Sequence, residues 1–132
     1  MLLVETEVRT SERHGLGVFT THDIAKGTMI WQFNPIVDRI IFKDDVKDLP
    51  KHMINHLQHH AYIDVNKNYV IALDNNQYSN HDYEPNLVWD DNECGWRASH
   101  DIAADEELTK DYQDFYTYDI SGILKRTSND SS

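Results

Sequence analysis

Short apolar and β-branched segments alternate with polar turns along most of this chain. Segments of this kind, bounded by glycine, proline, asparagine or aspartate, are typical of β-strands. In the first of them, Val4 and Val8 stand between polar residues, as in a strand with one solvated face. The segments that predict strands cover residues 3–10, 15–20, 29–33, 36–42, 61–65, 69–73, 87–89, 96–99 and the end of 101–109. The pattern therefore predicts a mostly β protein built from short strands.

One region has a helical pattern instead. Within residues 51–60 the apolar side chains Met53, Ile54 and Leu57 fall on one face of a helix. An acidic pair and a proline precede this segment and are typical of a helix start and a break. The sequence predicts one short helical insert over about residues 44–60.

The length of 132 residues suits a single domain that buries a core without disulfide bonds. We place this domain at 1–120 and predict a polar, partly disordered tail over 121–132. Cys94 is the single cysteine of the sequence, which excludes an internal disulfide and a cysteine-rich zinc cluster. The first residues lack a basic region before an apolar core, and no apolar run approaches membrane-spanning length. We therefore expect a soluble intracellular protein, cytoplasmic or nuclear, without a membrane partner.

The net charge indicates which classes of partner this protein would bind. The chain has a formal charge of −11 with twelve Lys and Arg residues in all. Wrapping nucleic acid needs a concentrated positive surface, so direct nucleic-acid binding is not expected. An acidic field attracts cationic ligands, although negative charge also serves solubility alone. We take solubility as the first interpretation of this charge, and a basic protein or peptide as the partner if the charge serves binding.

Two polar segments are candidates for binding. The stretch 77–86, QYSNHDYEPN, is rich in side chains that donate and accept hydrogen bonds, among them Asn80, His81 and Asn86. The same residue types also form ordinary solvated turns, so by itself this stretch leaves both interpretations open. The segment 15–17, Gly-Leu-Gly, would allow close approach to a ligand, but taken alone it is more typical of a simple hairpin turn. Without a third glycine and a following helix, it is not a dinucleotide-binding motif.

Four histidines on the predicted helix raise the question of a metal: His52, His56, His59 and His60. Their spacings of three and four residues bring several imidazoles together. Zinc sites usually add a third ligand and an ordered second shell, and no acidic or cysteine partner shares this spacing. We interpret the histidines as a polar helix face and predict no metal site.

Four segments of the chain resemble, in order, the SET domain of protein lysine methyltransferases. They are similar to the family's Gly-x-Gly segment, its Ile-x-Lys-Gly-Thr turn, its Asn-His signature closed by Pro-Asn, and its Glu-Glu-Leu-Thr-x-Asp-Tyr segment. In this sequence they are 15–19 (GLGVF), 23–28 (DIAKGT), 78–86 (YSNHDYEPN) and 105–112 (DEELTKDY). The chain most resembles the short, stand-alone SET proteins of viruses and microbes.

The resemblance implies a fold of small curved sheets with a C-terminal pseudoknot, in which the last segment threads through a loop beside the Asn-His stretch. It also implies transfer of a methyl group from S-adenosylmethionine to a lysine of a basic protein segment, a histone being one candidate. The cofactor and the lysine would enter from opposite faces. If the protein is viral or a secreted effector, the host nucleus is its expected location.

The resemblance also implies roles for single residues. Tyr112 would be the catalytic residue at the point of methyl transfer, in contact with both the cofactor and the lysine channel. The lysine channel would be walled by Phe33 and Tyr78. The expected cofactor contacts, besides Tyr112, are Leu16, Gly17, Asn80, His81 and Phe115.

The chain departs from the family pattern at several positions. Asp82 and Tyr83 stand where Ser-Cys is usual after Asn-His, and Asp105 replaces a glycine. Lys110 stands two residues before Tyr112, where many members have a Phe or Tyr that limits how many methyl groups are added. These changes motivate an alternative, a catalytically silent SET-like module that binds a peptide or cofactor. The number of methyl groups transferred and the oligomeric state stay open.

Overall fold

The structure, a computed structural model, describes residues 1–119. Within this range the strands are β1 (Thr6–Thr10), β2 (Leu16–Thr20), β3 (Met29–Gln32), β4 (Asp38–Ile41), β5 (Tyr62–Ile63), β6 (Tyr69–Ala72), β7 (Asn80–His81), β8 (Leu87–Asp90), β9 (Gly95–Ala98) and β10 (Thr109–Lys110). The helices are α1 (Lys43–Val46), α2 (Lys51–His60) and α3 (Tyr112–Tyr116), with a 3₁₀ turn at Asn75–Tyr78. Helices α1 and α2 occupy the predicted helical insert.

The strands form four small sheets. Strands β1 and β2 pair as an antiparallel hairpin, and two antiparallel sheets have the orders β3-β9-β8 and β4-β6-β5. The fourth sheet is a parallel pair of β7 with β10. The predicted class, a mostly β fold of small sheets with one helical insert, is confirmed.

The core consists of two clusters of buried side chains. The larger cluster lies between the sheets and includes Trp31, Val70, Trp96 and Phe115, each 0% exposed. The smaller cluster lies under the helical insert, where Leu57 of α2 is buried beside its neighbours. Met53, which the pattern placed on the same face as Leu57, is 37% exposed. The buried face of α2 is thus narrower than its periodicity indicated.

The parallel pair β7–β10 joins two segments whose paired residues are 29 apart in sequence, and it is the contact that the expected pseudoknot requires. The pairing aligns Thr109 with Asn80 and Lys110 with His81. The buried Asn86 side chain extends this pairing, since its Nδ2 donates to the Glu107 carbonyl at 2.8 Å and its Oδ1 accepts from the Thr109 N–H at 2.8 Å. A parallel pair this short is weak by itself, so these side-chain bonds help hold it.

Helix α3 was not predicted from the sequence, which indicated only an aromatic cluster near its end. The Asp111 carboxylate accepts a hydrogen bond from the Gln113 N–H at 3.0 Å and so caps the helix. Among residues 1–119 no helix has the length and apolar character needed to cross a bilayer. The predicted tail over 121–132 lies outside the described residues, and the domain boundary at 120 stays a prediction.

Candidate functional site

Two cavities meet at Tyr112. The polar cavity, of about 610 Å³, is lined by Arg13, His14, Gly15, Leu16, His59, His60, Gln77, Tyr78, Ser79, Asn80, His81 and Tyr112. The apolar cavity, of about 490 Å³, is lined by Gln58, Ala61, Tyr62, Ile63, Tyr112, Gln113, Tyr116 and Thr117. Tyr112 contributes to both linings. Tyr112 is therefore the residue that the two linings share.

Tyr112 is held on several sides. It is the first residue of α3, directly after the capping Asp111. Its backbone N–H donates to Nδ1 of His81 at 3.2 Å, and its hydroxyl donates to the Ser79 carbonyl. Its ring lies edge-on to Tyr62, with centroids 6.0 Å apart. Burial raises the pKa of Tyr112, so its hydroxyl is a neutral hydrogen-bond donor.

A buried carboxylate holds two residues of the polar cavity's lining, Arg13 and Asn80. Glu107, 7% exposed, accepts hydrogen bonds from Ser11 Oγ at 2.7 Å, Arg13 Nη1 at 3.2 Å and Asn80 Nδ2 at 2.9 Å. Asn80 Nδ2 also lies 2.9 Å from the Leu16 carbonyl, which ties the loop before β2 to β7. A Cβ at Gly17 would lie 2.5 Å from Glu107 Oε2, so the glycine is needed for this close approach.

Two of the departures from the family pattern lie outside both cavities. Asp82 accepts from Arg13 Nε at 2.8 Å and from the Glu84 N–H at 2.9 Å. These two bonds, the backbone one contributing more, lower the pKa of Asp82. Tyr83 is 80% exposed and places its ring edge-on to His81 at 4.5 Å. Asp82 thus connects the loop before β2 to the Asn-His stretch, and Tyr83 covers the outer side of His81.

Another departure, Lys110, is buried. Its residue exposure is 1%, and its Nζ donates to the Tyr62 hydroxyl, to Asn76 Oδ1 and, at 3.1 Å, to Ser79 Oγ. Burial lowers the pKa of Lys110 to about 7, although the carboxylates of Asp74 and Asp38 oppose this effect. The side chain ends directly behind residues that line the two cavities.

The structure brings together five of the eight residues that the sequence singled out. Leu16, Tyr78, Asn80, His81 and Tyr112 line the polar cavity. The other three line neither cavity: Gly17 packs on Glu107, Phe33 packs against the larger core cluster, and Phe115 is buried against Tyr62 and Trp89. The cofactor and channel roles of all eight stay predictions.

Several site residues were not identified from sequence. Glu107 belongs to the Glu-Glu-Leu-Thr segment, and that motif was the available signal for it. His59 and His60 were interpreted as a polar helix face, yet both line the polar cavity, and His60 Nδ1 lies 3.0 Å from the Gln77 carbonyl. Tyr62 gave no signal beyond its place in a short strand. In residues 1–119 no group of three or more His, Cys, Asp or Glu side chains is placed to hold a metal ion.

Comparison with known proteins identifies the fold. The sequence matches the SET domain family over residues 15–113. A Plasmodium falciparum protein named as a candidate histone methyltransferase is similar in structure, with a TM-score of 0.56, 19% identity, and coverage of 84% of this chain and 95% of that chain. A Polycomb Repressive Complex 2 structure from Chaetomium thermophilum, a humanized mutant bound to the inhibitor GSK126, gives a TM-score of 0.61 and 20% identity.

The second match covers 87% of this chain and 16% of the Polycomb chain. No curated protein matches the sequence. The family match spans most of the chain and includes β7, β10 and Tyr112, the elements on which both cavities depend. This chain therefore belongs to the SET-domain family, whose members are generally protein lysine methyltransferases.

Proposed function

We propose that this protein transfers a methyl group from S-adenosylmethionine to a lysine side chain in a basic protein segment, with histones as one candidate class. The observation that carries the proposal is that Tyr112 lies in the wall between a polar and an apolar cavity. Methyl transfer between two bound molecules needs them on opposite sides of one point, in line with each other. Alignment of this kind supplies about 7 to 11 kcal/mol of a reaction barrier.

The polar cavity is the proposed cofactor site. Its volume of about 610 Å³ lies within the range of small-molecule pockets. Its lining offers imidazole groups and the amide of Asn80 for the polar parts of S-adenosylmethionine, and Leu16 and Tyr78 for its apolar surface. The residues present therefore fit the cofactor. When bound, S-adenosylmethionine supplies a methyl group activated by a sulfonium.

The apolar cavity is the proposed lysine site. A lysine amine has an ordinary pKa of about 10.4 and must lose a proton before it can attack. Aromatic and aliphatic walls, such as Tyr62, Ile63 and Tyr116, disfavour the ammonium form and lower this value. Lys110 demonstrates the effect in the same protein, since burial lowers its pKa to about 7.

Tyr112 is the proposed catalytic residue. Its raised pKa keeps the phenol protonated at neutral pH, so it does not serve as a general base. Instead its hydroxyl and ring orient the acceptor amine at the wall between the cavities. The partner is proposed to be basic because the chain carries a charge of −11, which attracts cationic segments.

The function is tested by two measurements on the purified protein. Calorimetry with S-adenosylmethionine should show binding, and incubation with labelled cofactor and basic lysine-containing peptides should show transfer. Tyr112→Phe should bind cofactor with little change and lose about 100-fold in transfer rate, as expected for a misplaced acceptor. Tyr69→Phe removes a hydroxyl in the smaller core cluster and is the matched control. Absence of cofactor binding would end the proposal.

The alternative is a silent module that binds a peptide or cofactor without turnover. It is favoured by one observation, that a buried amine, Lys110, stands behind the Tyr112 wall where family members have an aromatic side chain. Cofactor binding without transfer to any peptide of a broad lysine-containing library would support this alternative. Transfer that is lost in Tyr112→Phe would rule it out.

A further inference from the structure

Lys110 is a buried titratable group to which the proposed function assigns no role. Few lysines are fully buried, and those that are require hydrogen-bond partners. The Lys110 amine has three, the Tyr62 hydroxyl, Asn76 Oδ1 and Ser79 Oγ, and it lies 5.0 Å from the Tyr62 ring centroid and 5.5 Å from that of Trp96. All of these groups belong to segments that come together only in the folded protein.

Two of the three partners also hold Tyr112. Ser79 bonds the Lys110 amine through its hydroxyl and accepts from the Tyr112 hydroxyl through its backbone carbonyl. Tyr62 bonds the same amine through its hydroxyl, while its ring packs against the ring of Tyr112. The position of the Tyr112 hydroxyl therefore depends on Ser79, the position of its ring depends on Tyr62, and both depend on one amine.

The third partner completes the network. Asn76 is 4% exposed, accepts from the Lys110 amine through Oδ1 and donates from Nδ2 to the Tyr62 hydroxyl at 3.0 Å. An amine, an amide and two hydroxyls thus each have at least one partner within the network. A satisfied buried network is rigid and fixes a single arrangement of its members, whereas loss of one member leaves the others unpaired.

We propose that Lys110 is a positioning residue that sets the place and orientation of Tyr112 in the wall between the two cavities, acting through Ser79 and Tyr62. The inference rests on the proposed methyltransferase function for its catalytic consequence. Many family members have a Phe or Tyr at the position of Lys110. The role proposed for Lys110, holding Tyr112 in place, differs from the role of such an aromatic side chain. Lys110 lines neither cavity itself but bonds Tyr62 and Ser79, which do, so it acts through these neighbours.

The first test is a double-mutant cycle on transfer rate. Lys110→Met keeps the length and removes the amine, and we expect kcat to fall at least about tenfold, because misplacement of reacting groups is costly, while the Kd for S-adenosylmethionine stays unchanged. In a Tyr112→Phe background the same substitution should cost much less, since the hydroxyl that Ser79 holds is already absent and only the ring contact with Tyr62 remains. Lys26→Met, at an exposed turn, is the control. An equal, additive loss in both backgrounds would overturn the proposal.

The second test does not need activity, so it separates failure of this inference from failure of the proposed function. The ¹³Cζ resonance of Tyr112 should move in Lys110→Met and stay in place in Lys26→Met. An unmoved resonance would overturn the positioning role even in an active enzyme. If the chain transfers no methyl group but the resonance moves, the positioning role stands and the methyltransferase proposal fails.

Two milder variants keep the proposal testable if Lys110→Met fails to fold. Ser79→Ala and Tyr62→Phe each remove one hydroxyl from the network and leave the amine in place. Each should displace the Tyr112 resonance by less than Lys110→Met, or, where that variant is unfolded, should displace it measurably from wild type. No displacement in either would contradict the proposal. The other charged groups that face the amine are unchanged in both variants: Asp38, Asp74 and the Met1 amino group.

Discussion

The polar and apolar cavities differ in how the chain holds them. The polar cavity is built on ionic and amide contacts around Glu107, which draw together three segments distant in sequence. The apolar cavity is built from the end of α2, strand β5 and helix α3, with ring packing among its walls. A binding surface of the first kind is sensitive to single charges and close contacts, while one of the second kind is sensitive to lost apolar area. The comparison implies that substitutions should separate cofactor binding from acceptor binding.

We expect Gly17→Ala to give the largest separation of cofactor binding from acceptor binding. The added Cβ would meet Glu107 Oε2 at 2.5 Å and Cδ at 2.8 Å, so the carboxylate must leave its three donors. We expect a loss of about 2 to 3 kcal/mol in the free energy of unfolding, as for overpacked sites, together with weaker cofactor binding. Chemical denaturation and calorimetry measure the two effects. In a Glu107→Ala background most of the cost should vanish, because only the 3.1 Å contact with Ser11 Cβ remains. A cost that persists in full there would show that the carboxylate contact is not its cause.

Asn80→Ala should have a smaller effect on the same cavity. It removes one donor from the Glu107 carboxylate and frees the Leu16 carbonyl. The expected cost is about 1 to 2 kcal/mol of stability, with a raised Kd for S-adenosylmethionine and an unchanged KM for the acceptor peptide. Asn92→Ala, in the exposed turn between β8 and β9, is the control. An equal rise in the peptide KM would break the proposed division between the cavities.

The free energy of unfolding should depend on pH through the buried amine of Lys110. The pKa of Lys110 is lowered to about 7 in the folded state, against about 10.4 when unfolded, so between these values the unfolded chain binds one more proton. Stability therefore rises with pH in this window, and below pH 7 the cost of burying the ammonium is fully present. Relative to Lys110→Met, the wild type should gain about 1 kcal/mol per pH unit above pH 7. A difference that is flat between pH 7 and 9 in denaturation experiments would contradict the burial of a titrating amine.

The smallest effect is expected at the apolar cavity. Tyr116 lines it and is 44% exposed, so Tyr116→Ala removes only part of a ring's contact area. We expect the acceptor-peptide KM to rise by about fivefold, in line with about 1 kcal/mol of lost apolar burial, and the cofactor Kd to stay constant. Tyr116→Phe keeps the ring and should behave like the wild type. A cofactor Kd that rises with Tyr116→Ala would mean that the cavities are coupled beyond Tyr112.

Much of the local structure followed from sequence patterns. Helix α2 spans Lys51–His60 as predicted, and the β8–β9 hairpin lies where two apolar arms flank an acidic turn. The parts that escaped prediction depend on distant contacts. Phe115, whose expected cofactor contact stays a prediction, packs in the core against Tyr62 and Trp89, and sequence did not reveal this packing because aromatic residues near a site suit either environment.

The sequence by itself determined the short strands, the helical insert and four ordered motifs that place the chain in the SET-domain family. Periodicity and turn residues are local features, so they predict strands, helices and turns without knowledge of the fold. The tertiary structure alone decided the register of β10 on β7, that Glu107 closes on Gly17, and that the Lys110 amine is buried behind Tyr112. Each of these depends on side chains from distant segments meeting in one place, and their energies come from burial and hydrogen bonds that exist only after the segments have packed together.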